Sequence, residues 1–191
     1  MRFRTILAAA ALVLLPMFAQ ASSITYNFNT VLSGGSVSGT ITTDAKSGVL
    51  SASDILDYNL LINDGRETMD LLGSNSQVLV GGNGLTATSS ALSYNFSDWN
   101  SILLFQAPYI GSGTNYVCFN NPFGDCDLQG SSDISAAVRG DEAFQSALQR
   151  GTVKFATAQI APAAVPEPST LALLGTGLIG FAGMMRRRVA C

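Results

Sequence analysis

Ile24-Thr25-Tyr26-Asn27-Phe28-Asn29 is the stretch that decides the fold. Apolar side chains at 24, 26 and 28 alternate with polar ones at 25, 27 and 29. A period of two is the mark of a strand with one face buried, because successive side chains point to opposite sides of a sheet. Ser33-Gly34-Gly35 then turns the chain, and Val37-Ser38-Gly39-Thr40-Ile41 continues in the same manner. A polar turn over 43–48 leads into an apolar-rich run at 55–62. That run ends at Asn63-Asp64-Gly65, where Asp-Gly suits positive φ.

Further short runs cover 77–80, 84–88, 92–96, 101–106 and 115–119, separated by turns such as Gly81-Gly82-Asn83-Gly84 and Gly111-Ser112-Gly113. Short strands with frequent turns predict a mainly β, antiparallel sandwich of jelly-roll-like type. Phe28, Tyr94, Phe96 and Phe105 fall on alternating positions and are expected in its core. One segment departs from the pattern. Asp141 and Glu142 open it, Phe144 and Leu148 stand at i, i+4, and Arg150-Gly151 closes it. These signals predict one short helix over 141–149, followed by a closing strand over 152–160.

Outward from this domain, both ends read as addresses. Arg2 and Arg4 precede an apolar stretch over 6–18, and Ala19-Gln20-Ala21 supplies the small-x-small pattern of a signal peptidase site. Residues 1–21 therefore read as a signal peptide, with cleavage after Ala21. Residues 22–160 are the exported β domain and 161–168 a proline-rich linker. The run 169–185 holds 17 uncharged residues, the short limit for a transmembrane helix. Arg186, Arg187 and Arg188 follow it and, by the positive-inside bias, keep 186–191 cytoplasmic. Gly175, Gly177 and Gly180 match a dinucleotide-binding spacing, but that motif needs a preceding strand and a downstream acid. No acid follows Gly180, and no cofactor is expected.

Charge and residue types narrow the chemistry. The chain has 191 residues, with 10 basic, 13 acidic and no histidine. Five of the basic residues lie in the two ends, and Glu167 is the one acid beyond 165. The exported part thus carries twelve acids against five bases, a net charge of −7, which excludes nucleic acid as a natural partner. Without histidine there is no Ser-His or Cys-His catalytic pair, and the commonest zinc ligand is missing. Lys46 and Lys154 read as surface lysines rather than activating bases. The acids at 54, 57, 64, 67 and 70 cluster in sequence without the opposed pair a glycosidase needs. We therefore expect no enzymatic activity and assign no catalytic residue.

Cys118 and Cys126 flank a turn in the exported part, where thiols meet an oxidising environment, and are expected to form a disulfide. Asp125, Asp127 and Asp133 alternate with other residues as in the start of a calcium loop, but position 12 would be Ala136 instead of a bidentate Glu. A metal-free polar loop is the primary expectation, with calcium at these three acids as the alternative. Trp99 is expected to pack over one end of the core; the alternative is an exposed platform for a sugar ring.

Pro166-Glu167-Pro168, the glycine-bearing apolar run and the arginines at 186–188 stand in a fixed order. This tail resembles the PEP-CTERM sorting signal. The resemblance implies a membrane-bound, exosortase-like enzyme that recognises Pro166, Glu167 and Pro168 and removes the tail, in bacteria that make extracellular polysaccharide. Extended prolines suit such recognition, since no helix must unfold first. The chain is then expected to be transiently anchored in the inner membrane and released to the cell surface or medium. The expected function is that of a structural surface or matrix protein. A polysaccharide-binding module, with or without calcium in its acidic loop, is the alternative, and a hydrolase comes third for want of a base.

Overall fold

The computed structural model describes residues 23–120, 132–140, 144–159 and Gly177. The chain divides into two compact units, Met1–Gln159 and Ile160–Cys191. In the first, the alternating stretch at the N-terminal side forms β1 (Ile24–Leu32), which turns at Ser33-Gly34 into β2 (Gly35–Thr43). There follow β3 (Gly48–Val49), a 3-10 turn at Ala52–Asp54, β4 (Ile55–Asn63), β5 (Thr68–Leu72), β6 (Gln77–Gly81) and β7 (Leu85–Ala87). The chain continues through β8 (Ala91–Asn95), β9 (Ile102–Ala107), β10 (Asn115–Phe119), β11 (Ile134–Ala137), β12 (Phe144–Gln145) and β13 (Thr152–Ala158).

The strands assemble into an eight-stranded sheet of order β3-β7-β8-β13-β1-β2-β4-β5 and a five-stranded sheet of order β12-β11-β10-β9-β6. Each pairing with a described register is antiparallel. The mainly β sandwich read from the sequence is what forms. Its core lies between the sheets, where Tyr26, Phe28, Ile41, Leu60 and Tyr94 of the larger face Leu103, Phe105, Val117 and Phe119 of the smaller. Phe119 is the hub, with ring centroids 5.9 Å from Phe28, 5.3 Å from Tyr94, 6.1 Å from Phe96 and 4.6 Å from Phe155. Phe28, Tyr94, Phe96 and Phe105 are all buried, as their alternation requires.

The expected helix at 141–149 is corrected. Phe144–Gln145 is a short strand on β11, and 146–150 forms no regular element. The backbone amides here find carbonyls across the sheet: Ser146 N–H donates to Ile134 O at 2.8 Å and Gln149 N–H to Ser132 O at 2.6 Å. Phe144 packs against the core, while Leu148, which a helix would place on the same face, is exposed. Residues 141–143 lie outside the described residues.

Candidate functional site

The smaller sheet is buried on both faces over much of its area. Leu103, Phe105, Val117 and Phe119 face the main core, whereas Leu104, Tyr116, Cys118 and Ala137 form a second apolar cluster on the far side. Beside that cluster, Asn120, Asp133 and Ser135 are buried together. Asn120 Nδ2 donates to Asp133 Oδ1 at 2.8 Å and lies 3.0 Å from Ser135 Oγ, and Asn120 N–H donates to Asp133 O at 2.8 Å. Asp133 thus serves as an acceptor that ties β10 to the approach to β11. Asp125 and Asp127, the other calcium candidates, lie outside the described residues, as does Cys126, the expected partner of Cys118. Among the described residues no group of three His, Cys, Asp or Glu side chains is placed to hold a metal ion.

Of the acids clustered in sequence, Asp54, Asp64 and Glu67 are held by different partners. Asp54 Oδ2 lies 2.8 Å from Lys46 Nζ and accepts from Ser51 N–H at 2.7 Å and Ser51 Oγ–H at 2.8 Å. These donors, Lys46 foremost, hold its carboxyl down to about 2. Lys46 is therefore an ion-paired lysine that fastens the loop after β2 to the 3-10 turn. Asp64 caps the β4–β5 turn by accepting from Arg66 N–H and Glu67 N–H, and the latter bond in particular lowers its pKa. Glu67 in turn forms a two-point ion pair with Arg139, at 3.0 and 3.1 Å, bridging the edges of the two sheets. Asp57 and Asp70 are exposed on β4 and β5, and Lys154 is exposed on β13.

Trp99 is 61% exposed in the β8–β9 loop, which overturns the expectation that it packs over the core. The loop is drawn into a tight polar turn around Asp98, and this turn leaves the indole outside. Tyr109, in the β9–β10 loop, is similarly exposed.

One surface feature could not be read from the sequence. On the outer face of the larger sheet, Thr157, Asn27, Thr40 and Asn59 stand opposite one another across β13, β1, β2 and β4. Four strands at ordinary spacing make this a row of roughly 15 Å. Beside it Thr25 Oγ1 and Thr42 Oγ1 are 2.9 Å apart. The row itself holds hydroxyl and amide groups without a charge; Asp57 stands beside it opposite Thr42, with Lys154 on β13 and Asp70 on β5. The alternation of polar residues was visible, but their alignment depends on strand order and register.

In the second unit Gly177 is the described residue, and its backbone is helical. Among the described residues no helix is long and apolar enough to cross a membrane. The linker with Pro166, Glu167 and Pro168, the rest of the 169–185 run and Arg186 to Arg188 lie outside the described residues, as do residues 1–21 with Ala19 and Ala21. Residues 164–188 match the family model for the PEP-CTERM protein-sorting motif. The chain carries a PEP-CTERM sorting signal. The motif implies an exported protein that passes through a membrane-anchored stage and is processed by an exosortase-type enzyme. No curated protein and no solved structure shows a significant match to the chain.

Proposed function

We propose that this chain is a non-catalytic surface or extracellular-matrix protein, cut free of its PEP-CTERM tail and left outside the cell as an acidic β-sandwich. The observation that carries this reading is the sorting motif at 164–188 attached to a domain in which, among the described residues, the pKa-lowered acids Asp54, Asp64 and Asp98 are each engaged by nearby donors. A carboxylate saturated with N–H and O–H donors is held ionised and is a poor general acid or base near neutral pH. In this account signal peptidase removes 1–21, the 169–185 helix parks the chain in the inner membrane, and the arginines hold it there. A Cys118–Cys126 disulfide closes the loop between β10 and β11. Exported cysteines and the burial of Cys118 support that pairing. Turnover of any substrate by the purified protein, abolished by substituting one Asp or Glu, would refute the non-catalytic reading.

The row of hydroxyl and amide groups across the outer face of the larger sheet favours a second reading, a module that binds neutral polysaccharide. Rows of hydroxyl and amide groups offer donors and acceptors to sugar hydroxyls without desolvating an ion. The exposed Trp99 adds an apolar ring of the kind sugars stack on. A glycan array run with and without chelator tests it. Binding that T40K abolishes supports the sheet face, and binding that the chelator abolishes supports calcium in the acidic loop. No binding to any glycan removes this reading and leaves the structural one.

A further inference from the structure

The turn Gly81-Gly82-Asn83-Gly84 contains the one Asn-Gly pair of the chain. Asn-Gly is the dipeptide most prone to spontaneous deamidation, because glycine has no side chain to shield its amide nitrogen from the neighbouring Asn carboxamide. In this fold that nitrogen is engaged. Gly84 is buried, and its N–H donates to Ser101 Oγ at 2.6 Å. Ser101, fully buried, donates its own hydroxyl hydrogen bond to Asp98 Oδ2 at 2.6 Å. The Asp98 carboxylate also accepts from Asn100 N–H at 3.2 Å. Ser101 is pinned from its other side, where Tyr94 Oη–H donates to its carbonyl at 2.8 Å. Asn83 itself is exposed to solvent.

We infer that Asn83 is a latent deamidation site, held closed by the Gly84–Ser101–Asp98 chain of hydrogen bonds and opened when the β8–β9 loop lets go. The chemistry needs only water and base. The Gly84 nitrogen loses its proton and forms a bond to Asn83 Cγ, the carboxamide nitrogen leaves as ammonia, and a succinimide results. Water then opens the ring at either carbonyl, giving aspartate or isoaspartate at position 83. In the native fold the Gly84 proton points at a buried hydroxyl whose own proton is committed to a carboxylate, a charge-assisted arrangement that resists exchange with solvent. The nitrogen can neither shed its proton to hydroxide nor swing toward Cγ without a local opening. The change is one-way, because the ammonia is lost to solvent and the ring is opened by water.

The test is peptide mapping of the full chain after incubation at mildly alkaline pH, scoring Asp and isoAsp at position 83. Native protein is expected to convert at least roughly tenfold more slowly than the same protein in urea. S101A and D98N should each lose most of that protection while retaining a cooperative thermal transition. Equal rates in native and denatured protein would overturn the proposal, as would a folded S101A or D98N that stays protected. Should neither variant fold, hydrogen exchange in the wild type decides: a slow Gly84 amide supports the latch, and a freely exchanging one refutes it.

Discussion

Phe119 contacts the rings of Phe28, Tyr94, Phe96 and Phe155, drawn from three strands of the opposite sheet. Truncating it removes the ring that joins the two layers, so Phe119→Ala should cost about 3–5 kcal/mol in chemical denaturation. A loss within the range of a surface substitution would mean that the sheets do not pack through this residue. Asp54 provides a pH-dependent counterpart. Its pKa is lowered to about 2 in the folded state, below the ~3.9 of an unfolded chain. A depressed pKa stabilises the fold above the unfolded value, and that contribution fades as pH falls from about 4 toward 2. Asp54→Asn should therefore be less stable than wild type at neutral pH, with the gap closing across that acid window. A gap that stays constant from pH 7 to pH 2 would show that the carboxylate charge is not what matters.

Among the elements, Gly39 sits mid-strand in β2, in register between Phe28 and Leu60. Its φ is +147°, and a Cβ there would overlap the backbone oxygen of Asn59. Gly39→Ala should destabilise the domain by about 2 kcal/mol or more, measured as a fall in denaturation midpoint; an unchanged midpoint would contradict the β2–β4 register. Which elements were legible follows from how they are buried. Strands with one wet face, such as β1, β2 and β4, alternate visibly and read correctly. β11, Ile134-Ser135-Ala136-Ala137, is buried on both faces and made of small residues, so it carries no alternation to read. β5 is a short edge strand whose alternation of Met69 and Leu71 with Thr68 and Asp70 is masked in the sequence by the acids at 64, 67 and 70. The segment after Gly140 carried the caps and spacing of a helix, yet pairing with β11 satisfied its amides better. Trp99 lies outside the core because the Asp98 turn, closed by Asn95, Asn100 and Ser101, holds the indole outward. The sorting tail, in contrast, is a linear code, and its three parts can be read without a fold.

At the scale of the molecule, the first strand pairs with the last: Tyr26 stands opposite Ala158 and Phe28 opposite Ala156. The sandwich therefore closes only after β13 has been exported. β13 ends at Ala158, before the motif match begins at 164, so cutting near Pro166 leaves every described strand of the domain in place. A chain ending at Val165 should keep the thermal midpoint of the uncut protein; a substantially lower midpoint would mean that the tail is part of the fold. The exported part is acidic, and the row of hydroxyl and amide groups across its larger sheet is uncharged, with Asp57, Asp70 and Lys154 around it, so its contacts outside the cell are expected with neutral rather than anionic polymers. The most direct test is the intact mass of the protein recovered from the cell surface and medium. The account predicts a species lacking residues 1–21 and everything after about Pro166. A species that still carries the arginine tail in the outer fraction would contradict it.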